Sequence, residues 1–383
     1  MSPPLSTTRV IELTPPGRAA VAVVLVAGPE AVRVVDECFQ RADGRRLAEM
    51  PMNRIALGRW GSPGGEELIA CRRSNETVEI HCHGGVAAVR AVIHRLRERG
   101  CEPTRWQDWL HDGAVDPIGA AAQIALAEAP TARTAAVLLD QYHGALAAAI
   151  RSTLVASTSH DWQAAQATFD AVLAHRGVGM HLTSPWRVVI AGRPNVGKSS
   201  LLNALVGFQR AIVCDLPGTT RDVVTATTAI DGWPIQLADT AGLRATRDAI
   251  ESAGVARASS AMVDADLVVL VDDTTDGPET PLPPSPPVLR VLNKIDLLPR
   301  VRQVRGDWRW DVCTSTITGE GIGEMVAAIG RALVPSAPVA GAAVPFTTDQ
   351  LQRFDAARTA IERRDAAAIA ACVRPLLSAE HSD

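Results

Sequence analysis

A short glycine loop between two regular segments constrains this chain more than any other feature. Trp186–Ala191 is a mostly apolar, β-branched run, and the stretch from Lys198 to Val206 has helical patterning. Between them lies Gly192-Arg193-Pro194-Asn195-Val196-Gly197-Lys198-Ser199. A strand feeding GxxxxGKS and then a helix gathers backbone N–H groups at a helix N-terminus, where the peptide dipoles favour an anion. The predicted ligand is a phosphate chain. The chain has 38 basic residues, yet Lys198 and Lys294 are its two lysines. A compact ammonium on a flexible stem can curl beneath phosphates where a planar guanidinium cannot.

Three further elements follow in order. Asp239-Thr240-Ala241-Gly242 succeeds a strand-like run, Asn293-Lys294-Ile295-Asp296 a second, and Thr314-Ser315-Thr316 a third. Backbone groups of Asn195, Val196, Gly197, Lys198, Ser199 and Ser200 are expected to wrap the phosphates. Lys198 would bridge the β- and γ-phosphates, Ser199 would bind Mg²⁺, Asp239 would hold it through water, and the Gly242 N–H would sense the γ-phosphate. The Asp296 carboxylate can accept from both N1–H and the exocyclic amine of guanine, a donor pair that adenine lacks. Asn293 and Lys294 complete that loop, and Ser315 and Thr316 are placed to offer N–H groups to the guanine oxygen. Together these elements predict a GTP/GDP site. Leu243 follows Asp-Thr-Ala-Gly, and an apolar side chain cannot orient water.

A length of 383 residues predicts two or three domains, and 47% apolar residues suffice for real cores. Net charge is −4, so no global basic field points to nucleic acid, and any RNA contact must be local. Seven cysteines without CxxC spacing read as reduced thiols of a cytoplasmic protein. No signal-peptide pattern opens the chain, and the apolar run from Ala19 to Ala27 is too short to span a bilayer.

The pattern predicts an α/β fold: a P-loop, Ras-like G domain inserted in a split helical domain and preceded by a small α+β domain. The expected divisions are 1–102 for the α+β domain, 103–184 and 336–383 for the helical parts, and 185–335 for the G domain. In the first, strands are expected at Arg9–Leu13, Ala19–Val26, Arg54–Trp60, Glu67–Arg72 and Thr77–Cys82, with helices at Glu30–Phe39 and Val86–Arg99. The alanine-rich stretch 115–176 reads as two or three long helices ended by Gly177 and Gly179. Asp231-Gly232 marks a hairpin, Trp310–Cys313 a last strand, and 346–375 a return to helix.

The quoted motifs, with Ala211–Asp222, Thr14-Pro15-Pro16-Gly17-Arg18 and Val78–Gly85, make the chain resemble the MnmE (TrmE) tRNA-modification GTPases. The resemblance implies potassium-stimulated GTP hydrolysis, with Asn195 at the K⁺-binding asparagine and the loop Phe208–Gly218 over the ion. It places Thr220 at the switch threonine that binds Mg²⁺ and Glu251 at a glutamate acting on the attacking water through other waters. It implies a homodimer, a role in wobble-uridine modification of tRNA, and an FAD-dependent MnmG-like partner. It also implies a formyl-tetrahydrofolate pocket, for which Glu79 is kept and Arg18 is a candidate contact. Leu25 stands where the family has an arginine and Gly113 where it has a lysine, which argues against one-carbon chemistry. The chain ends Ala379-Glu380-His381-Ser382-Asp383, without the family's Cys-x-Gly-Lys tail. The alternative reading is therefore a regulatory GTPase switch, or an RNA or ribosome assembly factor, that has lost the modification chemistry. A scaffold with negligible turnover is a third.

His81-Cys82-His83 could suggest zinc, but the bland reading is turn and core histidine. Arg59, Arg72, Arg73, Arg90, Arg95, Arg97 and Arg99 read as a solvated surface.

Overall fold

The computed structural model describes residues 7–15, 17, 19–61, 65–112, 116–208, 225–239, 264–273, 285–298 and 310–377. The chain divides into two compact units, Met1–Ala120 and Ala121–Asp383.

The first unit is a sheet with two helices on one face and a short third helix on the other. Its elements are β1 (Arg9–Glu12), β2 (Val21–Ala27), α1 (Ala31–Cys38), β3 (Phe39–Arg41), β4 (Ile55–Trp60), β5 (Glu67–Arg72), β6 (Thr77–His83), α2 (Val86–Arg97), β7 (Glu102–Pro103) and α3 (Trp106–Asp112). The sheet order is β3-β4-β5-β6-β2-β1-β7. Neighbours are antiparallel except β1 and β7. Alternation along β2 and β6 sends Val24, Val26, Val78 and Ile80 into a core with Val34 and Val35 of α1 and Val92 and Leu96 of α2. The intervening Leu25 and Ala27, with Ile11, point to the other face and pack against Trp106 and Trp109 of α3. β3 and β7 were not expected.

The second unit inserts an α/β layer into a helical one. The helices are α4 (Pro117–Glu128), which crosses the division, then α5 (Ala132–Tyr142), α6 (Ala145–Thr158), α7 (Trp162–Leu173) and α8 (Arg176–Met180). The expected two or three long helices are thus several short ones. Thr131 accepts the Thr134 N–H and starts α5. Gly144 sits at φ 96° before α6, and Asp161 accepts the Ala164 N–H to start α7. Gly177 and Gly179 do not end the region but lie inside α8.

Next come β8 (Trp186–Gly192), α9 (Lys198–Phe208), β9 (Thr225–Ile230), β10 (Trp233–Asp239), β11 (Leu267–Asp272), β12 (Val288–Leu292), β13 (Val312–Cys313) and α10 (Ile322–Leu333). The last strand is shorter than predicted. The sheet order is β13-β12-β11-β8-β10-β9, parallel except for the β9–β10 hairpin. At the hairpin tip Asp231 and Gly232 take φ of 49° and 78°, which suits a two-residue primed turn. Finally α11 (Thr348–Glu362) and α12 (Ala366–Val373) return to the first helices. Phe169 of α7 and Phe354 of α11 meet with ring centroids 4.9 Å apart. Buried Gln141 of α5 donates to the Ala342 carbonyl at 3.0 Å and accepts the Val344 N–H at 3.1 Å. Those contacts close the helical layer across the inserted sheet.

Candidate functional site

The C-terminal ends of parallel strands are where an open α/β sheet presents its loops for ligand binding. Four of these ends carry the predicted motifs. After β8 the chain turns through Gly192 at φ 147°, Asn195 at 66° and Gly197 at 97°. A Cβ on Gly192 would lie 2.2 Å from the Val271 carbonyl oxygen, and one on Gly197 would lie 2.3 Å from Asn293 Nδ2. Both glycines are therefore demanded by close approach as well as by backbone conformation.

Lys198 opens α9 and is buried; its Nζ donates to the Arg193 carbonyl at 2.8 Å, so the ammonium curls back over the loop. Ser199 Oγ donates to Asp239 Oδ2 at 2.6 Å, which joins the start of α9 to the end of β10. Asp239 is buried. A hydroxyl and a carboxylate oxygen meeting at the mouth of a phosphate loop are hard donors of the kind Mg²⁺ takes alongside phosphate oxygens. The residues present fit that ion.

The base loop is tied to the phosphate loop. Asn293 is 1% exposed; its Nδ2 donates to the Val196 carbonyl at 2.9 Å, and its Oδ1 accepts from Thr314 Oγ1 at 3.1 Å. Lys294 adopts φ 60°, and its Nζ donates to the Asn195 carbonyl and to Asp273 Oδ2 at 2.8 Å. Asp296 Oδ1 accepts from Ser315 Oγ at 2.5 Å. The Ser315 N–H, expected to face the base, instead donates to the Glu320 carbonyl at 2.9 Å. Ser315 thus holds Asp296 through its hydroxyl, and Thr316 stands half-buried beside it. Ser200 lies exposed on α9. Thr220, Gly242, Glu251 and 209–218 lie outside the described residues.

The motifs give no role to the side chains of Arg193, Asp272 and Asp273. The Arg193 guanidinium meets Asp272 Oδ1 at 2.5 Å. The one available signal was a pair of aspartates closing a buried apolar strand.

In the first unit Glu79 accepts from Arg73 Nε at 3.1 Å and lies 3.6 Å from His81 Nε2. Leu25 pairs with Glu79 across β2 and β6, and its side chain is buried with Ile11 and Ala27 against Trp106 and Trp109. Where a folate would need cations for its carboxylates, the strand offers alkyl and indole groups, and Glu79 already has its partners. Leu25 and Glu79 do not fit the carboxylates of a folate. Arg18 and Gly113 lie outside the described residues.

The His81-Cys82-His83 reading is corrected in part. The cysteine, not a histidine, faces the core, and burial pushes its thiol up to about 11. His83 is exposed, its Nδ1 2.8 Å from Glu66. Among the described residues no group of three or more His, Cys, Asp or Glu side chains could hold a metal ion. Arg72 is not simply solvated either; it donates to the Ala48 and Met50 carbonyls at 2.7 and 3.3 Å.

Residues 187–295 match the family described as 50S ribosome-binding GTPase, and 10–106 match that described as GTP-binding protein TrmE N-terminus. The tRNA modification GTPase MnmE of Bacillus licheniformis is 32% identical over 368 residues, covering 82% of this chain and 80% of that protein. The protein of the same name from Alkalilimnicola ehrlichii is 35% identical over 355 residues, covering 81% of this chain and 78% of that one. With a P-loop GTPase site at the C-terminal ends of its parallel strands and relatives of this identity along most of its length, the chain belongs to the MnmE family of GTPases.

Proposed function

We propose that this enzyme hydrolyses GTP with Mg²⁺ and K⁺ and that its GTPase cycle serves wobble-uridine modification of tRNA. The observation that carries the reading is the convergence of Lys198, Ser199, Asp239, Asn293, Lys294 and Asp296 at the C-terminal ends of β8, β10 and β12.

Lys198 would leave the Arg193 carbonyl for the β- and γ-phosphates, whose negative charge outcompetes a neutral acceptor. The N–H groups from Asn195 to Ser200 would cradle the phosphate chain at the start of α9. Ser199 and Asp239 would hold Mg²⁺ with Thr220, and that ion would neutralise charge developing on the transferred phosphoryl group. Asn195, with the loop 208–218, would hold K⁺. Asp296, steadied by Ser315, would read the two guanine donors. Gly242 would sense the γ-phosphate, and Glu251 would orient the attacking water through intervening waters, as Leu243 cannot. Hydrolysis then yields GDP and phosphate.

By kinship the chain is proposed to act in the cytoplasm as a homodimer, on tRNA, with an FAD-dependent MnmG-like partner. Boundaries near 102, 184 and 335 are proposed for its domains. No helix among the described residues is long and apolar enough to cross a membrane. A second reading, a GTPase switch without the modification chemistry, is favoured by the Leu25–Trp106–Trp109 packing in place of a folate cradle.

The test is steady-state GTP hydrolysis by the whole chain in K⁺ and in Na⁺ at equal ionic strength. Strong stimulation by K⁺ is expected. Equal slow rates in both salts would replace this reading with a binding switch that awaits a partner.

A further inference from the structure

We infer that Asp273 is a positioning residue for guanine-nucleotide binding, acting through Lys294; the inference rests on the nucleotide site proposed above. β11 lies between β8 and β12 and ends in Asp272, with Asp273 directly after it. Each of these adjacent carboxylates engages a cation from a different nucleotide loop. Asp272 Oδ1 takes the Arg193 guanidinium of the phosphate loop at 2.5 Å. Asp273 Oδ2 takes the Lys294 ammonium of the base loop at 2.8 Å. The Asp273 N–H donates to Asp272 Oδ1 at 2.8 Å, and Arg193 also stands 3.9 Å from Asp273 Oδ1. The two pairs form one network at the end of an interior strand.

Lys294 has reason to need holding. Its backbone is left-handed at φ 60°, a conformation that crowds a residue with a Cβ. Its ammonium reaches Asn195, which is itself left-handed at φ 66° and whose carbonyl accepts it. The lysine stem therefore spans the gap between base loop and phosphate loop. A neutral carbonyl alone binds an ammonium weakly, whereas a carboxylate at the same head fixes it. Both side chains are partly covered, Lys294 at 31% and Asp273 at 26% exposure, so water screens the pair only in part. Without the carboxylate, Lys294 would exchange Asn195 for solvent and open the side of the site that it spans.

The experiment measures dissociation of GDP carrying a fluorescent N-methylanthraniloyl group from the full chain by stopped flow. It compares wild type, Asp273→Asn, Asp273→Glu, Lys294→Met and the Asp273→Asn/Lys294→Met double variant. Asp273→Asn is expected to speed dissociation about fivefold, in the range of a partly exposed ion pair, and to raise the KM for GTP more than it lowers kcat. Asp273→Glu should restore most of the loss. In the Lys294→Met background the Asp273→Asn change should vanish, because the two act as one unit. Unchanged dissociation in Asp273→Asn beside faster dissociation in Lys294→Met overturns the inference and leaves the nucleotide site standing. A full fivefold effect that persists without the lysine ammonium overturns it too. No nucleotide binding by wild type would sink the site itself, and this inference with it.

Discussion

At the scale of single residues, Lys198 and Lys294 use one chemistry in two ways. Both ammonium groups end on carbonyls of the phosphate loop, Lys198 on Arg193 and Lys294 on Asn195. Lys198 is the more deeply buried and opens α9, so it is the cation that the phosphates would meet first. Lys198→Ala should abolish GTP binding in a titration, since Lys294, the chain's other lysine, is held at the far side of the loop by Asn195 and Asp273. Normal affinity in that variant would remove the phosphate assignment. Asp296 is fixed by the Ser315 hydroxyl, so its orientation is set before any base arrives. Asp296→Asn should weaken GTP relative to XTP, because an amide can donate to the extra oxygen of xanthine. An unchanged ratio of the two affinities would take Asp296 out of base reading. Gly197→Ala should cost nucleotide affinity as well, at least tenfold by calorimetry. Its methyl would strike Asn293 Nδ2 while its backbone sits at φ 97°.

Among the elements, the β9–β10 hairpin shows how the helical layer grips the inserted sheet. Thr131, the residue that caps α5, also donates its hydroxyl to the Gly232 carbonyl at 2.6 Å. Arg133 donates to the Asp231 carbonyl at 2.6 Å and stacks 4.7 Å above the centroid of Trp233. One turn of helix thus holds the hairpin tip, and β10 of that hairpin ends in the site residue Asp239. Thr131→Val should lower stability by about 1–2 kcal/mol, the worth of a lost cap and a lost hydrogen bond. Chemical denaturation checks it, and an unchanged midpoint would show that the clamp bears no load. α8 is gripped as tightly. A Cβ at Gly179 would lie 1.8 Å from the Pro345 carbonyl oxygen, so the glycine is kept by packing where the sequence suggested a helix stop.

For the whole molecule, the division into two units is matched by separate cores. Among the described residues, the first unit's core is drawn from Val10 to Cys101, all before the division at residue 120. A fragment of residues 1–112 should therefore fold alone and melt cooperatively by circular dichroism; a broad, gradual transition would mean that it depends on the second unit. The nucleotide motifs were legible in the chain because each is contiguous. A glycine loop between strand and helix, or a short acidic loop after an apolar run, carries its backbone conformation and its chemistry in a few neighbouring residues. The strands were legible for a similar reason, since alternation and turn residues are local. The alanine-rich stretch was misread because its breaks at Thr131, Gly144 and Asp161 are caps, which weigh little against a strong helical composition. The remaining features bring together residues far apart in sequence. Arg193 meets Asp272 and Lys294 meets Asp273 only because β11 lies between β8 and β12. Gln141 finds Ala342 and Val344 only after the whole α/β layer has been inserted between them. Leu25 is buried on the second face of its sheet only because α3 brings Trp106 and Trp109 across it. The order of residues determined the chemistry offered to the nucleotide, because that chemistry is local. The partners that hold it in place were decided by packing, because a distant residue becomes a neighbour only when sheets and helices close.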